Sequence, residues 1–127
     1  MNKIKFLNID LDIESKKDAS LIAKEFGKRV TTMRSEFYEG LYCASFETGY
    51  LEENEIIEEY ISLINSLSSD AKSLWNNCTK RVFDFGYSGG REPNNFHSTI
   101  SENSINLLAS VGGSVVVTIY PSNKENT

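Results

Sequence analysis

Leu7-Asn8-Ile9-Asp10-Leu11-Asp12-Ile13 alternates aliphatic and polar side chains without a break. A period of two sends neighbouring side chains to opposite sides of an extended chain. The aliphatic residues need a core, while Asn8, Asp10 and Asp12 need water. The stretch therefore predicts a strand over 3–13 in a sheet with one dry and one wet face. A dry sheet face must be covered, so the rest of the chain must supply helices that can cover it.

Downstream, Glu14-Ser15-Lys16-Lys17 interrupts the pattern, and Asp18 can cap a helix running to about Val30. Ala19, Ile22, Phe26 and Val30 recur at helical spacing and give that helix a buried stripe. Gly27 weakens the helix or marks its end. Phe37 to Phe46 reads as a second strand, with Leu41 and Cys43 on one side and Tyr42, Ala44 and Phe46 on the other. Thr48-Gly49 follows as a turn.

Residues 52–67 form a helical pattern with Ile56, Ile57, Tyr60, Ile61, Ile64 and Leu67 on its apolar side. A short helix over 70–78 carries Leu74, Trp75 and Cys78 inward. Arg81–Tyr87 is a third strand, with Phe83, Phe85 and Tyr87 on one face and Val82, Asp84 and Gly86 on the other. Gly89 to Asn95 is a loop. Ser101 caps a helix to about 111 with Ile105, Leu108 and Ala109 inward, Gly112-Gly113 ends it, and Ser114–Tyr120 is the last strand.

The expected order is β-α-β-α-α-β-α-β. It gives an α/β (α+β) class with a single mixed or antiparallel four-stranded sheet and helices packed on it. Residues 1–121 make one domain, and 122–127 a polar tail. The length of 127 residues suits one domain that buries a core without metal or disulfide staples. Cys43 and Cys78 are expected to stay unpaired, since no CxxC spacing is present. No apolar run of about 18 residues suggests a membrane span. The first residues do not follow a signal-peptide pattern, so a cytoplasmic location is expected.

Charge is distributed unevenly. The net charge is −5. Residues 1–34 hold eight Lys/Arg, whereas residues 35–71 hold none and carry nine acids. A one-sided acidic stretch repels phosphates and attracts basic partners, so nucleic acid is not expected as a ligand. Helix-dipole stabilisation accounts for Glu52, Glu53 and Glu55, but less well for Glu58 and Glu59.

Catalytic motifs are weak. His97 is the only histidine, and no G-x-S-x-G elbow accompanies it. Asp10, Asp12 and Glu14 alternate on the first strand without the calcium-loop pattern, so a wet strand face explains them better than a metal. Gly86-Tyr87-Ser88-Gly89-Gly90 departs from both phosphate-loop patterns, although Arg91 beside it could hold an anion. Asp84 sits in an apolar strand and needs a partner if buried. Arg81, three residues away, leaves on the opposite face, so another arginine or backbone amides should serve. Neither a cofactor nor a metal is expected.

The string from Trp75 to Tyr87, with its Arg81-Val82-Phe83-Asp84-Phe85-Gly86-Tyr87 core, resembles the DUF4279 family of small bacterial proteins. The stretch from Ser104 to Pro121, ending in Tyr-Pro, strengthens the resemblance, which covers roughly residues 51–121. Similar small proteins include immunity proteins of contact-dependent and other polymorphic toxin systems. The resemblance brings no catalytic residues, and it implies fold-supporting roles for Trp75, Arg81, Asp84 and Gly86.

Together these readings predict a non-enzymatic immunity protein. It would bind a cognate, basic toxin domain, such as a nuclease, by steric and electrostatic occlusion. Glu52, Glu55, Glu58 and Glu59 would supply the binding face, with Tyr50 and Tyr60 as aromatic anchors. The alternatives are a small-ligand or regulatory module using the 86–97 loop and a small hydrolase. Arg91, His97, Trp75, Arg81 and Asp84 are the further candidate residues, each with a ligand-binding or a structural role.

Overall fold

The computed structural model describes residues 3–49, 52–91 and 95–121. The alternating stretch forms strand β1, Lys5–Ser15, and it lies at the centre of the sheet. Its aliphatic side chains Ile9, Leu11 and Ile13 are buried. Leu7 is the exception. A register shift between Phe6 and Asn8 turns Leu7 outward, and Phe6 instead packs edge-on against Tyr87 at 5.6 Å.

Helix α1 spans Ser20–Phe26 and ends in a single 3-10 turn, Gly27–Arg29. Asp18 accepts a hydrogen bond from the Ser20 amide at 2.8 Å. Ala19, Ile22, Phe26 and Val30 are all buried, as the spacing predicts.

The expected single strand over 37–46 is a hairpin. Strand β2, Thr31–Tyr38, turns back at Glu39-Gly40 into β3, Leu41–Glu47. Both turn residues have positive φ, 53° for Glu39 and 84° for Gly40. That is the primed turn whose twist matches a two-residue hairpin. A glutamate in this conformation is uncommon, so the turn carries no Asn-Gly or Asp-Gly signal. The first arm is also exposed along its whole length and therefore lacks an apolar alternation.

Helices α2, Glu53–Asn65, and α3, Ser69–Asn76, follow. Glu52 caps α2 by accepting from the Asn54 amide at 2.9 Å, and Ser68 caps α3 through the Ala71 amide at 3.2 Å. Strand β4 is Lys80–Ser88, α4 is Glu102–Ser110 capped by Ser101, and β5 is Ser114–Tyr120.

Among the described residues the sheet therefore has five strands, not four. The order is β2-β3-β1-β4-β5, antiparallel throughout except for the parallel β4–β5 pair. The chain order is β-α-β-β-α-α-β-α-β, an α+β fold on a mixed sheet. No helix among the described residues is long and apolar enough to cross a membrane.

Among the described residues α1, α2, α3 and α4 all contribute to one core on a single face of the sheet. Tyr60 of α2 is completely buried there. Its ring packs edge-on against Phe83 at 5.7 Å. Its hydroxyl shares one proton between the carbonyls of Ile9, at 2.9 Å, and Phe46, at 3.0 Å. Phe46 is in the last β1–β3 pair, with Leu11, and Ile9 lies two residues beyond that pair on β1. Burial pushes the hydroxyl well above the ordinary phenol range, so it stays a donor.

Replacing Tyr60 by Phe keeps the ring and removes this donor. Two buried carbonyls would then lose their shared partner, and we expect a loss of about 1–3 kcal/mol. Urea unfolding monitored by far-UV circular dichroism measures it. A midpoint equal to that of the wild type would show that the hydroxyl contributes nothing.

Candidate functional site

An open apolar concavity arises from how α4 is held. Asn54, near the start of α2, accepts from the Ser104 hydroxyl at 2.7 Å and from the Ser101 amide at 3.2 Å. These bonds clamp the start of α4 to the start of α2. Leu108 and Ser104 are buried against the core, and α4 does not extend over β5. The β5 side chains that face the helix layer therefore remain open, with Val115 52%, Val117 58% and Ile119 61% exposed. Ile105 on α4, expected to point into the core, is 56% exposed and faces the same space.

The result is an apolar groove of about 720 Å³, within the ~300–1,000 Å³ typical of ligand sites. Phe85, Tyr87 and the β5 valines lie along its sheet side, Ile105 and Leu108 along α4, and Phe96 and Ile100 on the connecting segment. Tyr87 contacts Phe96 edge-on at 5.6 Å. Gly113 keeps the α4–β5 junction closed, since a Cβ there would stand 2.5 Å from the Phe83 ring.

No charged residue lines the groove among the described residues, but carboxylates border it. Ser98, a lining residue, accepts from the Tyr87 hydroxyl at 3.0 Å and donates to Glu53 at 2.8 Å. Glu102 lies three residues before Ile105 and so shares its side of α4.

The predicted acidic face is divided by the fold. Glu52, Glu55 and Glu58 are exposed. Glu59 is tied to Arg29 at 2.9 Å. Tyr60 is a core residue and cannot anchor a partner at the surface, and Tyr50 lies outside the described residues.

A second acidic region covers the helix-free face of the sheet. Asp10 on β1 stands directly across from Asp84 on β4, with Asp12 and Glu47 nearby on the same face. Burial, followed by the repulsion of Asp12, Glu47 and Asp84, raises the Asp10 carboxyl from the ordinary 3.8 to about 6. The partner of Asp84 is the Thr118 hydroxyl of β5, at 2.7 Å, and not the arginine or backbone amides expected. Glu14, at the end of the same row, is 3.7 Å from Lys80. Among the described residues no three Asp, Glu, His or Cys side chains are placed to hold a metal ion.

The other candidates separate into structural and solvent-facing residues. The Trp75 indole donates to Val111 O at 3.0 Å. Arg81 donates to the carbonyls of Trp75 at 3.1 Å, Cys78 at 3.0 Å and Gly112 at 3.1 Å. It thereby satisfies carbonyls left open where α3 and α4 end. Arg91 and His97 are exposed and do not line the groove, although Phe96 and Ser98 on either side of His97 do. Cys43 and Cys78 are free and buried, and burial pushes the Cys78 thiol up to about 11, so it is a poor nucleophile.

Comparison with protein-family models, with curated proteins and with solved structures finds no match.

The Asp10 carboxyl yields a test. Its folded value lies above the unfolded one, so between about pH 4 and 6 the native state holds more protons than the unfolded chain. Its contribution to stability therefore falls as pH rises through this window. Replacing Asp10 by Asn removes the penalty. We expect the variant to be more stable than wild type at pH 7 by on the order of 1 kcal/mol, allowing for solvent screening, and the difference to vanish near pH 4. Urea melts at both values measure this. A variant less stable than wild type at pH 7 would contradict the assignment.

Proposed function

We propose that this chain is a cytoplasmic binding protein of the immunity type, which neutralises a basic toxin domain by covering it and performs no chemistry of its own. The observation that supports the reading is the open apolar groove with carboxylates at its border. Apolar contact supplies affinity, at roughly 25 cal/mol per Å² buried. Glu52, Glu55 and Glu58 on the neighbouring helix steer a basic partner toward the surface and disfavour acidic ones. The same charges disfavour nucleic acid. A resemblance of roughly residues 51–121 to the DUF4279 family, among whose similar small proteins are immunity proteins, would fit this reading.

A second reading has its own support. Tyr87 and Phe96, both within the 86–97 segment, line the groove, so a small apolar ligand could occupy it.

Two variants separate these readings, with any basic domain encoded beside the chain's gene tested as the probe. Ile105→Asp puts a carboxylate into the groove wall, and its desolvation should weaken partner binding by about tenfold or more. The double change Glu55→Gln and Glu58→Gln keeps shape and removes charge. It should slow association and flatten the salt dependence, an effect that an uncharged apolar ligand would not show. Calorimetry and stopped-flow mixing over a range of salt concentrations give both quantities, with circular dichroism confirming the fold. Wild-type affinity and salt dependence in both variants would remove the toxin-binding reading.

A further inference from the structure

The two edges of the sheet differ in chemistry. Strand β2 is shielded by features that discourage pairing with another chain. A register shift falls between Thr32 and Arg34, Arg34 and Glu36 are paired at 2.6 Å, and the Arg34 guanidinium lies over the Tyr38 ring. Strand β5, Ser114-Val115-Val116-Val117-Thr118-Ile119-Tyr120, has no charge, no proline and no register shift against β4. It is apolar on both faces. Val115, Val117 and Ile119 open on the helix side, and Val116 and Tyr120 on the other. Among the described residues no strand pairs with its outer edge.

We propose that β5 pairs with β5 of a second copy of this chain, antiparallel and centred on Val117, to make a two-fold dimer with a continuous ten-stranded sheet. This goes beyond the binding reading above, which a monomer also satisfies.

The strand is self-complementary in that register. Val117 faces its own copy, Val115 faces Ile119, Val116 faces Thr118, and Ser114 faces Tyr120. Every cross-strand pair is uncharged, and most are β-branched, the pairs that stabilise antiparallel sheets. A two-fold axis normal to the sheet keeps both helix layers on one side, so the two grooves join across the axis. Because α4 stops short of β5, no helix blocks the approach.

Charge and area both permit the contact. The nearest sheet carboxylate, Asp84 on the neighbouring strand β4, accepts from Thr118 of β5. Across the paired β5 strands it would stand three strand spacings, about 14 Å, from its copy, beyond the ~8–10 Å over which salt leaves charges unscreened. The exposed fractions of the β5 side chains set an upper bound on the area of on the order of 500 Å² per copy, because strand pairing covers only part of each side chain and leaves the groove side open. The pair therefore buries at most about 1,000 Å², the lower limit of a specific interface. The dimer should therefore be reversible and form in the micromolar range.

Sedimentation velocity from about 1 to 500 µM tests the proposal. Wild type should shift from the 14.3 kDa chain to twice that mass. Val117→Lys, at an exposed position, would set two ammonium groups opposite each other and should weaken the dimer at least a hundredfold, with circular dichroism unchanged. Val117→Cys should form a disulfide-linked dimer on mild oxidation, because opposed residues lie within cross-linking reach. Val115→Cys should not, since Val115 faces Ile119, and wild type should not, since its own cysteines are buried. The proposal is overturned if wild type stays monomeric over the whole range. It is also overturned if Val117→Lys dimerises like wild type, or if Val115→Cys cross-links as readily as Val117→Cys.

Discussion

Among the described residues every helix lies against the same face of the sheet, and that one-sidedness governs most of what is distinctive in the structure. Five strands at ~4.8 Å spacing span roughly 20–24 Å. The helices pack in pairs, α2 with α4 and α1 with α3, and two abreast at 8–10 Å cover rather less. The central strands β3, β1 and β4 take the full cover, and Leu11, Phe46 and Phe83 are wholly buried. The edges do not, so β2 and β5 expose side chains that would otherwise be core.

The helix-free face has the opposite difficulty. It is polar enough to meet water, but its carboxylates stand close together. Asp10 faces Asp84, with Asp12 and Glu47 adding to the repulsion. A hydroxyl from Thr118 stabilises Asp84 without supplying a positive charge. The fold thus carries closely spaced, partly compensated carboxylates on one side of the sheet and open apolar surface at one edge of the other. Neither feature lowers the energy of the isolated chain, and both suit contact with another molecule.

Polar side chains fix how the layers are joined. Asn54 joins the starts of α2 and α4, Arg81 gathers carbonyls at the ends of α3 and α4, and Tyr60 bridges β1 to β3. Each partner set is assembled from segments far apart in the chain. The groove is a consequence of this joinery, because the Asn54 clamp decides which part of the sheet α4 leaves bare.

Local pattern was sufficient for much of the fold. The period of two in Ile9, Leu11 and Ile13, the helical stripe Ala19, Ile22, Phe26 and Val30, and the inward row Phe83, Phe85 and Tyr87 are properties of neighbouring residues, and each is buried as that pattern requires. The hairpin at Glu39-Gly40 escaped because its turn uses a glutamate at positive φ and its first arm is an exposed edge with no apolar period. The candidate site was less legible. Tyr60 belongs to an apolar helical stripe, yet only the carbonyls of Ile9 and Phe46, brought together by the sheet, make it a core donor instead of a surface anchor. Val115, Val117, Ile119 and Ile105 have the composition of core residues, and their exposure follows from where α4 is clamped. The sequence by itself determined most of the helical and extended segments, β2 excepted, and the apolar side of each, since those depend on contacts within a few residues. Only the tertiary structure decided which apolar sides are covered, because coverage depends on how far a one-sided helix layer reaches across five strands.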